Sequence, residues 1–157
     1  MAETPAPTSA QTPEQTPEQT PDKRTVTLSR HAEGIYIARN ARGHELKFGT
    51  KDPDGFSPVE LLLASIAACT AVDVDVVTGR HSVADEFGAT VEADYIRDET
   101  GNRLDNIELT FHIRFPEGEK GDRARTLLPR ALRTSHDRTC TVSRTIEAGT
   151  HITTTAD

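Results

Sequence analysis

The 157-residue sequence predicts an α+β fold, and three patterns carry that reading. A helix with a complete start signal begins at Pro58 and is apolar on nearly every side. Two long segments of alternating character follow it and read as a hairpin. Short β-branched segments come before both, and weaker helical patterns come after. The expected order is βββ-α-ββ-α-(α)-β, with helices and antiparallel strands grouped rather than alternating.

Residues 1–24 stand apart from this unit. They hold five of the nine prolines, none of the ten glycines and the tandem repeat Thr12-Pro13-Glu14-Gln15, Thr16-Pro17-Glu18-Gln19. Such a segment cannot bury enough apolar surface to offset its ordering entropy, so a disordered tail is expected over 1–24. The folding unit is 25–157. Its core is thin in aromatic residues, with no Trp and seven Phe and Tyr in all.

Within that unit, Thr25–Ser29, Gly34–Arg39 and Arg42–Gly49 read as a three-stranded antiparallel meander with turns at Ala32–Gly34 and Asn40–Gly43. Phe56-Ser57-Pro58-Val59-Glu60-Leu61 then supplies a helix start. Ser57 is the N-cap, Pro58 occupies N1, Glu60 at N3 closes a capping box, and Phe56 can staple onto Leu61. The helix runs to about Thr78, with Gly79 after it. Between Leu61 and Val72 it is greasy all round, which places it at the centre of a protein. Asp73 and Asp75 mark where it emerges.

Gly88–Arg97 forms the first hairpin strand and Asp98–Asn102 the turn. The second strand alternates cleanly through Ile107, Leu109, Phe111, Ile113 and Phe115, so one face of the hairpin is buried. Pro116–Gly121 is a loop. Asp122 caps a helix that Pro129 should kink or divide. His136–Thr139 breaks the chain, Cys140–Ile146 is a short helix, and Thr150–Thr154 a last strand. One small sheet cannot cover a helix apolar on all sides. A second copy of the chain is the simplest cover, so a homodimer is expected.

Charge and cysteine content bound the function. The net charge is −7 and the isoelectric point about 5.4, which disfavours nucleic acid and anionic membrane as partners. The uncharged run Leu61–Val72 is 12 residues, short of the roughly 20 a membrane span needs. Two cysteines are too few for a secreted disulfide scaffold, and the N-terminus lacks the pattern of a signal peptide. A soluble, cytoplasmic protein with reduced thiols is expected.

Those two cysteines are the chief candidates for chemistry. Cys69 lies mid-helix among small residues, where a cysteine is ordinarily core packing. Cys140 lies in a polar, basic stretch, and heading a short helix beside Arg138 and Arg144 would favour its thiolate. His136 and Cys140 have i, i+4 spacing, but nothing else is placed to complete a metal site, so no metal or cofactor is expected. Arg42, in a turn, is either a solvated charge or a guanidinium aimed at an anion. Glu60 is a helix cap unless it also serves as a carboxylate beside a thiol.

The segment Phe56–Ala71, with Ser57-Pro58-Val59-Glu60-Leu61 and Cys69, resembles the first cysteine helix of the OsmC/Ohr family (osmotically inducible and organic hydroperoxide resistance proteins). Cys140-Thr141-Val142-Ser143-Arg144-Thr145-Ile146 resembles that family's second cysteine segment, and the spacing of 71 residues fits. The resemblance covers roughly Thr25–Thr155. It implies an intertwined homodimer in which antiparallel sheets wrap central helices. It also implies a thiol peroxidase for organic hydroperoxides, with Cys69 peroxidatic, Cys140 resolving, Arg42 stabilising the thiolate across the dimer, and an external dithiol as reductant. In the peroxidase members a glutamate follows the proline directly. Here Val59 stands there and the acid comes at Glu60, about 100° further round the helix. A non-catalytic or redox-sensing small-molecule-binding protein of the same fold is the alternative.

Overall fold

The computed structural model describes residues 22–156, so residues 1–21 of the expected tail lie outside the described residues. Strands β1 (Val26–Ala32), β2 (Ile35–Asn40) and β3 (Glu45–Gly49) form an antiparallel meander in that order. Helix α1 (Pro58–Thr78) follows, then the hairpin β4 (Glu86–Asp98) and β5 (Gly101–Arg114). Helix α2 (Glu119–Thr134), a single π turn over Ser135–Thr139 and helix α3 (Thr141–Glu147) complete the order.

The start of α1 follows its sequence. Ser57 Oγ accepts from the Glu60 N–H at 3.3 Å, and Glu60 Oε2 accepts from the Ser57 N–H at 2.7 Å. The box satisfies two N–H groups that the first helical turn leaves without partners. Phe56, the expected staple, stays 55% exposed. Ile66, Thr70, Val74 and Thr78 recur every four residues and form the buried stripe of α1. The helix packs on α2, β4 and α3 along its length. At 21 residues it is long and apolar enough to cross a membrane by length and composition, more than the 12-residue uncharged run implied. It packs against three neighbours, yet in the single chain only 22% of that apolar stretch is buried.

The hairpin is as patterned, with a tighter turn than expected: β4 ends at Asp98 and β5 begins at Gly101. Asp98 Oδ1 accepts from the Thr100 N–H at 2.9 Å and its hydroxyl at 2.6 Å, which holds the turn. A bulge interrupts the ladder where Asn106 adopts φ 49°. Asn tolerates this left-handed conformation better than most residues. Beyond the bulge, Val91 pairs with Leu109, Ala89 with Phe111 and Phe87 with Ile113. Directly paired residues share a face, and this one is turned to the helices.

Three sequence expectations are corrected. Helix α2 starts at Glu119, one turn before Asp122, and its N-cap Gly118 makes no side-chain bond. Asp122 instead pairs with Arg125, whose guanidinium also donates to the Phe115 and Pro116 carbonyls at 2.8 and 3.2 Å. Gly121 is required here, because a Cβ would lie 1.8 Å from the Pro116 carbonyl oxygen. Pro129 does not divide α2. Its ring is on the exposed side, where water can serve the carbonyl left without a donor. Residues 150–156 form no strand. Their β-branched residues suit one, but they join neither the β1-β2-β3 nor the β4-β5 ladder.

The meander packs on no helix to any extent. Leu28, Ala38 and Leu46 are cross-strand partners on one of its faces, yet Leu28 is 59% and Leu46 48% exposed. On α1, Val72 is 63% exposed. A single chain thus leaves two apolar surfaces without cover.

Candidate active site

The site is built where α1 meets the segment after α2. Cys69 lies on α1, half-buried, beside the stripe formed by Ile66 and Thr70. Cys140 is fully buried at the N-cap of α3. Its sulfur contacts the Ser143 hydroxyl at 3.2 Å and accepts from the Ser143 N–H at 3.5 Å. The two thiols, 71 positions apart in sequence, are both free, and each bears on the other's acidity.

Their electrostatics differ. Burial pushes the Cys69 thiol above its ordinary value, with the N–H groups of Val142 and Thr141 opposing it. Burial pushes Cys140 up as well, but the Ser143 hydroxyl and N–H, with the Thr70 hydroxyl, bring it below its ordinary value. Hydrogen bonds donated to the charged form therefore outweigh desolvation at Cys140. The sequence anticipated a favoured thiolate there, though from a different cause. Arg144 is turned to the Asp137 carbonyl, and Arg138 is exposed.

Asp73 is the residue the sequence reading missed. It follows Cys69 by four positions, on the same side of α1. Its Oδ2 accepts from Ser135 Oγ at 2.7 Å and from Thr139 Oγ1 at 2.6 Å. Asp75, by contrast, is exposed. The available signal was an acid one turn after a cysteine in an otherwise apolar helix.

A cavity of about 480 Å³ is walled by Ile66, Leu109, Phe111, Leu128, Leu132 and Ile146, and neither cysteine lines it. Thr70 and Ser143, the two hydroxyls that serve Cys140, also line it. At its edge the exposed side chains of His136 and Glu147 approach to 3.7 Å, so His136 turns to a carboxylate and not to Cys140.

A family model described as OsmC-like protein matches residues 49–155. The chain belongs to the OsmC/Ohr family. An uncharacterized protein of Mycobacterium tuberculosis is 30% identical over 118 residues, spanning 74% of this chain and 84% of that one. Among solved structures, a hypothetical protein from Aquifex aeolicus aligns with a TM-score of 0.65 at 22% identity, over 82% of this chain and 90% of that one. An organic hydroperoxide resistance protein OsmC from Legionella pneumophila aligns with a TM-score of 0.52 at 20% identity, over 82% and 91%. These likenesses establish the OsmC fold.

Two further residues named from the sequence sit apart from the thiols of this OsmC-like chain. Arg42 lies on the β2–β3 turn, where Asn40 Oδ1 accepts from the backbone N–H groups of Arg42 at 2.9 Å and His44 at 3.2 Å. The turn is fixed and the Arg42 side chain exposed, on a sheet that hardly touches the helix bearing Cys69. Glu60 is engaged in the capping box, about two and a half helical turns before Cys69.

Proposed function

We propose that this protein is a thiol-dependent peroxidase that reduces organic hydroperoxides, working as a homodimer. The observation that carries the reading is the pairing of a reachable thiol with a buried, hydrogen-bonded one beside an apolar cavity. Access supports Cys69 as peroxidatic and Cys140 as resolving: Cys69 is half-buried, whereas Cys140 is fully enclosed. The Cys69 thiolate attacks the distal oxygen of the hydroperoxide. The O–O bond breaks, the alkoxide takes a proton and leaves as alcohol, and Cys69 becomes a sulfenic acid. The Cys140 thiol then condenses with it, releasing water and forming the Cys69–Cys140 disulfide. An external dithiol reduces that disulfide by exchange. The cavity wall suits an alkyl group better than water or hydrogen peroxide.

The dimer answers a deficit visible in the single chain. Cys69 is pushed up by burial, and the charged groups of its own chain do not relieve it. Arg42 sits on a rigid turn of a sheet with an uncovered apolar face. Laid on a second copy, that sheet would cover apolar surface and bring Arg42 to the partner's Cys69, where a guanidinium stabilises both thiolate and developing alkoxide. Glu60 serves as cap, with Val59 in the position of the family's orienting acid.

The test is turnover of cumene hydroperoxide with dithiothreitol as reductant, beside a light-scattering mass. Peroxide loss that requires both cysteines, in a particle of twice the chain mass, supports the proposal. A monomer would remove the cross-subunit arginine, and inert thiols would remove the enzyme. The raised Cys69 thiol and Val59 favour, in that second case, a small-molecule-binding protein using the same cavity.

A further inference from the structure

Asp73 bonds to both ends of the turn that carries Cys140. Ser135 opens the π turn, Thr139 closes it, and the Cys140 N–H donates back to the Ser135 carbonyl at 2.8 Å. Both hydroxyls donate to the same carboxylate oxygen, at 2.7 and 2.6 Å, and Ser135 is wholly buried. Asp73 and Cys69 stand one helical turn apart on α1, roughly 6 Å along its axis. The segment 135–140 is therefore fastened to α1 by two hydroxyl–carboxylate bonds, one helical turn from Cys69. A π turn is an unusual, wider coil that α-helical bonding alone does not favour. Here it has an external clamp from the helix that bears the other thiol.

We propose that Asp73 is a positioning residue for disulfide closure: its carboxylate holds the π turn through Ser135 and Thr139 and so keeps the Cys140 thiol at Cys69. The assignment to a resolving step rests on the peroxidase reading, but the clamp itself does not. Closure must outrun further oxidation of Cys69 to sulfinic acid, which a second equivalent of hydroperoxide would cause. A thiol held in place provides that speed as a high local concentration.

The experiment separates clamp from peroxidase by using two oxidants. Diamide converts two thiols to a disulfide, taking up both hydrogens as the hydrazine, and needs no peroxide chemistry. Closure of Cys69–Cys140 is followed by quenched alkylation and mass spectrometry in wild type, Asp73→Ala, Asp73→Asn and Thr139→Val. Asp73→Ala should close at least about tenfold more slowly. Asp73→Asn offers one amide oxygen to the same two hydroxyls and should recover to within about threefold of wild type. Thr139→Val, which removes one donor at an exposed side chain, should show the same direction at smaller size, and covers the case in which Asp73→Ala does not fold. With cumene hydroperoxide, Asp73→Ala should accumulate Cys69 sulfinic acid that wild type does not. A wild-type closure rate in Asp73→Ala and Thr139→Val overturns the proposal, as does an Asp73→Asn protein no faster than Asp73→Ala. A wild type inert to hydroperoxide, with the diamide defect present, would end the peroxidase reading and keep the clamp.

Discussion

Replacing Ser143 with Ala isolates the group that does most to keep Cys140 acidic. Burial pushes that thiol up, and the Ser143 hydroxyl is the largest opposing influence, at 3.2 Å from the sulfur. A hydrogen bond to a charged group is worth about 1.5–3 kcal/mol, and a long bond to sulfur belongs at the low end of that range. One pKa unit corresponds to about 1.4 kcal/mol, so the substitution should raise the Cys140 pKa by about one unit. At any pH below both values the thiolate fraction then falls about tenfold. The more basic thiolate is intrinsically more nucleophilic, with a Brønsted coefficient near 0.45, and recovers about threefold of that. Disulfide closure should therefore slow about three- to fourfold at fixed pH, with the midpoint of its pH profile moved up by about one unit. The assay is diamide-driven closure followed by quench and mass spectrometry across pH 6–10 (roughly the span in which thiols titrate). Ser143→Thr, which restores a hydroxyl, should return the profile. A midpoint that stays put or moves down in Ser143→Ala would refute the assignment of the low pKa to this hydroxyl.

Other outcomes follow from the same structure. Cys69→Ser should abolish hydroperoxide turnover, while Cys140→Ser should consume about one equivalent and then stall with Cys69 over-oxidised; single-turnover assays with intact mass distinguish the two. Arg42→Ala should lose at least about tenfold in kcat/KM with the dimer mass unchanged, and full activity would remove the arginine's role. Gly121→Ala should cost about 1–3 kcal/mol in denaturant unfolding, because its Cβ would sit 1.8 Å from the Pro116 carbonyl. The Asp98 carboxyl, hydrogen-bonded by Thr100 and paired with Arg103, is held below its ordinary 3.8. A depressed carboxylate contributes stability that is present above 3.8 and lost as pH falls through the lower folded value. NMR titration of Asp98 should therefore give a midpoint below 3.8, and one at or above it would contradict the turn geometry.

Local chemistry was the part of the fold legible in sequence. The capping box is written in Ser57, Pro58 and Glu60, and the period-two run from Ile107 to Phe115 leaves little choice of face. Features that depend on a partner elsewhere were not legible. Thr150–Thr154 has strand composition but pairs with neither sheet. Pro129 stays in α2 because its ring points to solvent, which only the packing decides. At the site, both cysteines could be named, but not which hydroxyls would tune Cys140. Asp73 looked like the end of a buried helix because an acid usually marks exposure. Its two hydroxyl partners lie 62 and 66 positions further along the chain. The meander is the converse case: its strands were readable, while the apolar face it leaves open shows only in three dimensions.

The proposed redox pair of Cys69 and Cys140 stands or falls on its response to hydroperoxide. It is tested most directly by mixing reduced protein with one equivalent of cumene hydroperoxide and measuring free thiols and intact mass. Loss of both thiols and a mass lower by about 2 Da, blocked by Cys69→Ser, is the expected result. Two thiols still titratable after excess hydroperoxide, at unchanged mass, would contradict it.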